Sequence, residues 1–173
     1  LRTAYFYVAN SSLIDHLDHY QSGNLRMRQS RQYDSLNRLM QISTTTNGGP
    51  AIVNASGYAY NEANQRTRHT QADGSYWVYR YDTLGQVISG KKFWSDGTLV
   101  AGQQFEYLFD DIGNRTSTRA GGNAIGTGLR TASYTPNLLN QYTSRQVPGA
   151  VDLLGVARGT VSVNSSTNGV YRR

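Results

Sequence analysis

The sequence predicts an all-β fold of antiparallel hairpin repeats, and three observations carry that reading. Aromatic residues alternate along short stretches, as Trp77/Tyr79/Tyr81 and Phe105/Tyr107/Phe109 do. A six-residue motif recurs with first residues at 33, 60, 81 and 109. No segment keeps a helical apolar period beyond two turns.

Each observation has a physical cause. A period of two puts alternate rings on one face of a strand. Tyrosine suits that face because it buries a large ring and keeps a hydroxyl for a partner. The motif that follows is an aromatic, Asp or Asn, an apolar residue two further on, Gly or Asn, then a polar residue. It reads Tyr33-Asp34-Ser35-Leu36-Asn37-Arg38, Tyr60-Asn61-Glu62-Ala63-Asn64-Gln65, Tyr81-Asp82-Thr83-Leu84-Gly85-Gln86 and Phe109-Asp110-Asp111-Ile112-Gly113-Asn114. The side chains of Asp34, Asn61, Asp82 and Asp110 can bond back to the backbone and start a turn. Asn37, Asn64, Gly85 and Gly113 are the two residue types that readily accept positive φ. The apolar residues Leu36, Ala63, Leu84 and Ile112 are expected to tuck beneath the turns. Strand-like runs follow, such as Arg38-Leu39-Met40-Gln41-Ile42.

The opposite hairpin ends carry their own signals. Asp73-Gly74 and Asp96-Gly97 predict two-residue type I′ turns, and Asn47-Gly48-Gly49-Pro50 a looser loop. The stretch Gly121 to Gly128 reads as a flexible loop. Residues 1–19 are expected to form a lead-in, 20–146 the hairpin array, and 147–173 the start of a further β segment with a loose tail. Leu1-Arg2-Thr3, without Met or a signal-peptide core, has the look of a start within a longer protein.

Composition narrows the class. The chain has 173 residues, 13 tyrosines, two tryptophans and 18 glycines, which suggests a folded, tyrosine-cored protein. With no cysteine, disulfides and thiolate chemistry are excluded. No apolar run is long enough for a membrane helix. The net charge of +6 permits an anionic partner, but the basic residues are scattered and read mainly as a solvated face. They do not interleave with aromatics along one stripe, which argues against nucleic acid.

The repeated motif resembles the YD repeats of Rhs proteins, found also in teneurins and in insecticidal toxin-complex subunits. Tyr79-Arg80-Tyr81-Asp82-Thr83-Leu84-Gly85-Gln86-Val87 is similar to that unit nearly throughout, and Tyr107 to Arg115 is similar with Phe109 for the second tyrosine. Tyr134 to Tyr142 looks like a variant unit, and Gly23-Asn24-Leu25-Arg26 like a degenerate one. The resemblance implies a β-strip that spirals into a shell around another polypeptide. A chain of this length would form one curved sheet segment of such a partial Rhs-like shell. Its open edges would need other repeats of the same protein or a homo-oligomer. The family's self-cleaving acidic segment has no counterpart in the sequence, so self-proteolysis is not carried over.

Candidate chemistry is thin. His16 and His19 within Asp15-His16-Leu17-Asp18-His19 would share a face only on a helix, and the bland reading is a polar, partly helical segment. Asp96, Glu106, Asp110 and Asp111 could supply the carboxylate pair of a small glycoside hydrolase, but the turns already explain most of them. No nucleophile elbow or phosphate-binding loop occurs, and no catalytic residue, metal ligand or cofactor is assigned. Tyr76, Trp77 and Trp94 are the candidates for a carbohydrate-binding surface, through ring stacking on sugars, possible partners being cell-surface glycans. The favoured reading is a scaffold segment of a bacterial protein, secreted or at the cell surface, rather than an enzyme. A carbohydrate-binding module and a small hydrolase are its rivals.

Overall fold

The computed structural model describes residues 1–47, 49, 52–147 and 149. The segment expected to begin a further β element, from Val151 onward, lies outside the described residues, as do Gly48 and Pro50 of the loop expected at 47–50. The described residues are all-β, with twelve strands and no helix. They fall into two compact units, Leu1–Trp77 and Val78–Arg173.

In the first unit lie β1 (Arg2–Tyr7), β2 (Ile14–Gln21), β3 (Asn24–Tyr33), β4 (Leu39–Thr46), β5 (Ile52–Tyr60) and β6 (Arg66–Gln71). From β1 to β6, consecutive strands pair antiparallel. β7 (Tyr76–Tyr81) spans the boundary between the units. The second unit holds β8 (Val87–Phe93), β9 (Leu99–Phe109), β10 (Arg115–Gly121), β11 (Leu129–Pro136) and β12 (Tyr142–Arg145), again paired in chain order. Sequence neighbours become sheet neighbours because short turns allow nothing else.

Eight of the described turns share one geometry. At residues 34–38, for example, the Asp34 N–H donates to the Arg38 carbonyl at 3.0 Å, and the Asn37 N–H to the Asp34 carbonyl at 3.0 Å. The same pair of bonds closes 61–65, 71–75, 82–86, 94–98, 110–114, 123–127 and 137–141. The fourth residue of each has positive φ: Asn37, Asn64, Gly74, Gly85, Gly97, Gly113, Gly126 and Asn140. This is a type I turn followed by one left-handed residue, the three-residue hairpin loop. Asp73-Gly74 and Asp96-Gly97 are therefore not type I′ turns, since only their glycines are left-handed. The two-residue turn with both residues at positive φ is Ser22-Gly23, between β2 and β3. What resembled a degenerate repeat at Gly23 is the opposite end of a hairpin.

Two more expectations change. The stretch around Gly126 is not a shapeless loop: Asn123 to Thr127 forms the shared turn, its Asn123 Oδ1 accepting from Thr127 N at 2.9 Å. The segment holding His16 and His19 is strand β2, not helical, so these residues lie on opposite faces.

The interior is thin. Among the described residues, Leu17 and Ala132 are the only buried apolar side chains, and the tyrosines are at most half-buried. Among the described residues no tyrosine is fully buried, so the rings form no closed core there. Arginines lie over the rings of Tyr20, Tyr58, Tyr60, Tyr76, Tyr107 and Tyr134.

Candidate functional site: the turn edge

The repeated turns place their capping side chains, tyrosines and basic residues together. Asp34 Oδ1 accepts from the backbone N–H groups of Leu36 and Arg38, both at 2.9 Å. Asp82 and Asp110 repeat this toward Leu84 and Gln86, and toward Ile112 and Asn114. Asn61, Asn123 and Asn137 accept the equivalent bond from the residue four on. The Arg38 backbone N–H and guanidinium hold the Asp34 carboxyl below the usual carboxylate range. The Asn114 side chain does the same for Asp110.

Two pairs of neighbouring turns are joined through the residue that ends the motif, Arg38 and Asn114. In the first unit Arg38 bonds Asp34 at 2.6 Å and donates to the Asn61 carbonyl at 3.1 Å and Asn64 Oδ1 at 2.9 Å. Its guanidinium also lies 5.1 Å from the centre of the Tyr60 ring. In the second unit Asn114 Nδ2 donates to Asn140 Oδ1 at 3.2 Å, and Arg115 N to the Tyr142 hydroxyl at 2.9 Å. Tyrosine hydroxyls reach back to the previous hairpin. Tyr33 donates to the Ile14 carbonyl at 2.9 Å, and Tyr60 to the Leu39 carbonyl at 2.8 Å.

Part of the basic charge lies over tyrosine rings, on arginines that are themselves exposed. Arg66 stacks on Tyr58 at 4.1 Å, Arg68 on Tyr76 at 3.5 Å and Arg115 on Tyr107 at 4.9 Å. Arg28 closes a two-point bond on Asp18, at 2.6 and 2.7 Å, directly across β2 and β3. Asp18 is 1% exposed, and the Arg28 bond holds its carboxyl well below the usual range.

The apolar turn residues do the reverse of what was expected. Leu36, Leu84 and Ile112 stand 65, 70 and 71% exposed, projecting from the turns instead of tucking beneath them. The turn is closed by Asx bonds and backbone bonds, so no apolar cover is required.

The other candidates gather no reactive constellation. Tyr76, Trp77 and Trp94 are all half-buried, and Arg68 occupies the Tyr76 ring. Glu106 is bound by Lys91 and Arg119, each at 2.8 Å. The Lys91 bond keeps its carboxyl below the usual range, the opposite of what a general acid requires. Asp96 Oδ1 accepts from Thr98 N at 2.9 Å within its turn. His16 bonds Asp15 at 2.6 Å and stacks on Phe6, while His19 meets the Thr3 hydroxyl at 3.1 Å. Among the described residues no three His, Cys, Asp or Glu side chains gather as metal ligands.

Residues 60–90 match the RHS Repeat family. No curated protein matches the chain. Among solved structures, the crystal structures of TcdB2-TccC3-Cdc42 and of TcdB2-TccC3 each superpose with a TM-score of 0.67 at 20% identity, covering 83% of this chain and 7% of theirs. TcdB2-TccC3 without its hypervariable C-terminal region gives the same values. The chain therefore shares their fold while spanning a small part of their length. Residues 60–90 thus match the RHS repeat, and the hairpins flanking them close with the same turn.

Proposed function

We propose that this chain is a structural scaffold segment whose hairpins help to enclose or present another part of a larger secreted or cell-surface protein. The observation that carries the reading is the bonding from turn to turn, Arg38 to Asn64 in one unit and Asn114 to Asn140 in the other. Side chains capable of chemistry are consumed in those bonds, which supports stiffness over catalysis. Open strand edges support a partnership with further repeats. A carbohydrate-binding module needs rings open to a sugar face, and the half-burial of Tyr76, Trp77 and Trp94 counts against it.

The test is retention of the folded chain on insoluble polysaccharides and peptidoglycan, with soluble sugar as competitor. The scaffold reading expects no competable retention. Retention that soluble sugar abolishes, and that Trp94→Ala removes without lowering the melting temperature, would overturn it in favour of glycan binding.

A further inference from the structure

The second unit carries an open groove of about 410 Å³ along β7 to β10 that the turn contacts do not use. Its apolar lining comes from Val78, Ile88 and Leu108 together with the rings of Phe93 and Tyr107. Leu108, one residue from the end of β9, is 61% exposed.

Charge surrounds this apolar strip. Arg80, Lys91 and Arg119 line the groove against one carboxylate, Glu106, which both Lys91 and Arg119 already hold. Arg80 is exposed and makes no ion pair among the described residues. Cationic charge is thus left over beside uncovered aliphatic surface.

We propose that this groove is a docking site for an acidic, amphipathic polypeptide segment, with aliphatic side chains on Leu108 and Val78 and a carboxylate on Arg80. An acidic sugar would require flat exposed rings, whereas Phe93 and Tyr107 are half-buried and Arg115 lies over the Tyr107 ring. A bare polyanion would gain nothing from Leu108. Burial of apolar surface supplies affinity and the leftover charge selects acidic partners. The inference reaches beyond the scaffold reading and does not depend on it.

The test is fluorescence anisotropy of a dye-labelled Leu-Glu-Leu-Glu-Leu-Glu peptide titrated with the whole chain at low salt. Saturable binding is expected, weakened by added salt and by about tenfold or more in each of Arg80→Glu and Leu108→Ser. Both residues are exposed, and their variants should melt with the parent. Equal binding of a Leu-Lys peptide would overturn the proposal. So would equal binding of a Ser-Glu peptide, which would mark a surface for polyanions alone. Absence of saturation up to about 1 mM would overturn it too.

Discussion

Arg38 donates to Asn64 Oδ1 at 2.9 Å, joining the last residue of one repeat turn to the left-handed residue of the next. The motif therefore does two jobs. Asp34 closes its own turn, and Arg38, held by Asp34, reaches across to the following one. Asn in place of Gly at position 64 accepts the positive φ and also supplies the acceptor that a glycine lacks.

Where glycine occupies the left-handed position, a side chain is costly. Gly85 and Gly113 have φ of 82° and 89°. Alanine at either is expected to destabilise by about 1–2 kcal/mol, with asparagine tolerated better. A Cβ at Gly113 would also lie 3.2 Å from Gln86 Nε2. Urea midpoints for the four variants check this, and alanine matching asparagine would contradict it.

The Asp18–Arg28 pair is the most buried charge in the first unit. Arg28→Met strands a carboxylate that is 1% exposed, and a loss of about 3 kcal/mol is expected. That is the low end for a buried pair because the Arg28 side chain is itself 37% exposed. Asp18→Asn, which leaves the arginine in partial contact with water, should cost less. Thermal melts of the two variants decide the order.

Hydroxyls that tie hairpins together should be separable from ring packing. Tyr60→Phe removes the bond to the Leu39 carbonyl and keeps the ring beneath Arg38, for an expected loss of about 1 kcal/mol. Tyr107→Ala removes a half-buried ring and its stack with Arg115, for about 3 kcal/mol. Equal losses in denaturant titrations would show that the hydroxyl, not the ring, dominates.

Acid should unfold the chain through its turn and ladder carboxylates. Asp18, Asp34, Glu106 and Asp110 are all depressed, by Arg28, by the Arg38 N–H and guanidinium, by Lys91 and by the Asn114 side chain respectively. Groups lower in the folded than the unfolded chain contribute stability above about pH 4, and it is lost as pH falls through their folded values. Urea midpoints are expected to drop steadily below about pH 4.5, with a shallower slope in Asp18→Asn. A rise on acidification in that range would contradict the assignment.

Much of the turn edge was legible because its rules are local. Positive φ restricts residue 37, 64, 85 or 113 to Asn or Gly, and the Asx bond requires Asp or Asn three residues earlier. The same rule was present at Asn123, Ile125, Gly126 and Thr127, but the surrounding glycines masked it. Asp73-Gly74 was misjudged because the dipeptide alone does not reveal that residue 73 stays right-handed. Cross-strand features were not legible. Arg28 faces Asp18 through a register set by the whole β2–β3 pair, and Arg68 finds Tyr76 across a turn. The outward Leu84 and Ile112 defy the usual expectation that apolar residues seek cover, since side-chain and backbone bonds already close their turns.

The most direct test of the turn-to-turn account is a double-mutant cycle on Arg38→Ala and Asn64→Ala, read by urea unfolding at neutral pH. The account predicts that the two losses are not additive, with a coupling of about 0.5–1 kcal/mol. Additive losses would contradict it, leaving each turn to stand alone and the edge without the stiffness a scaffold requires.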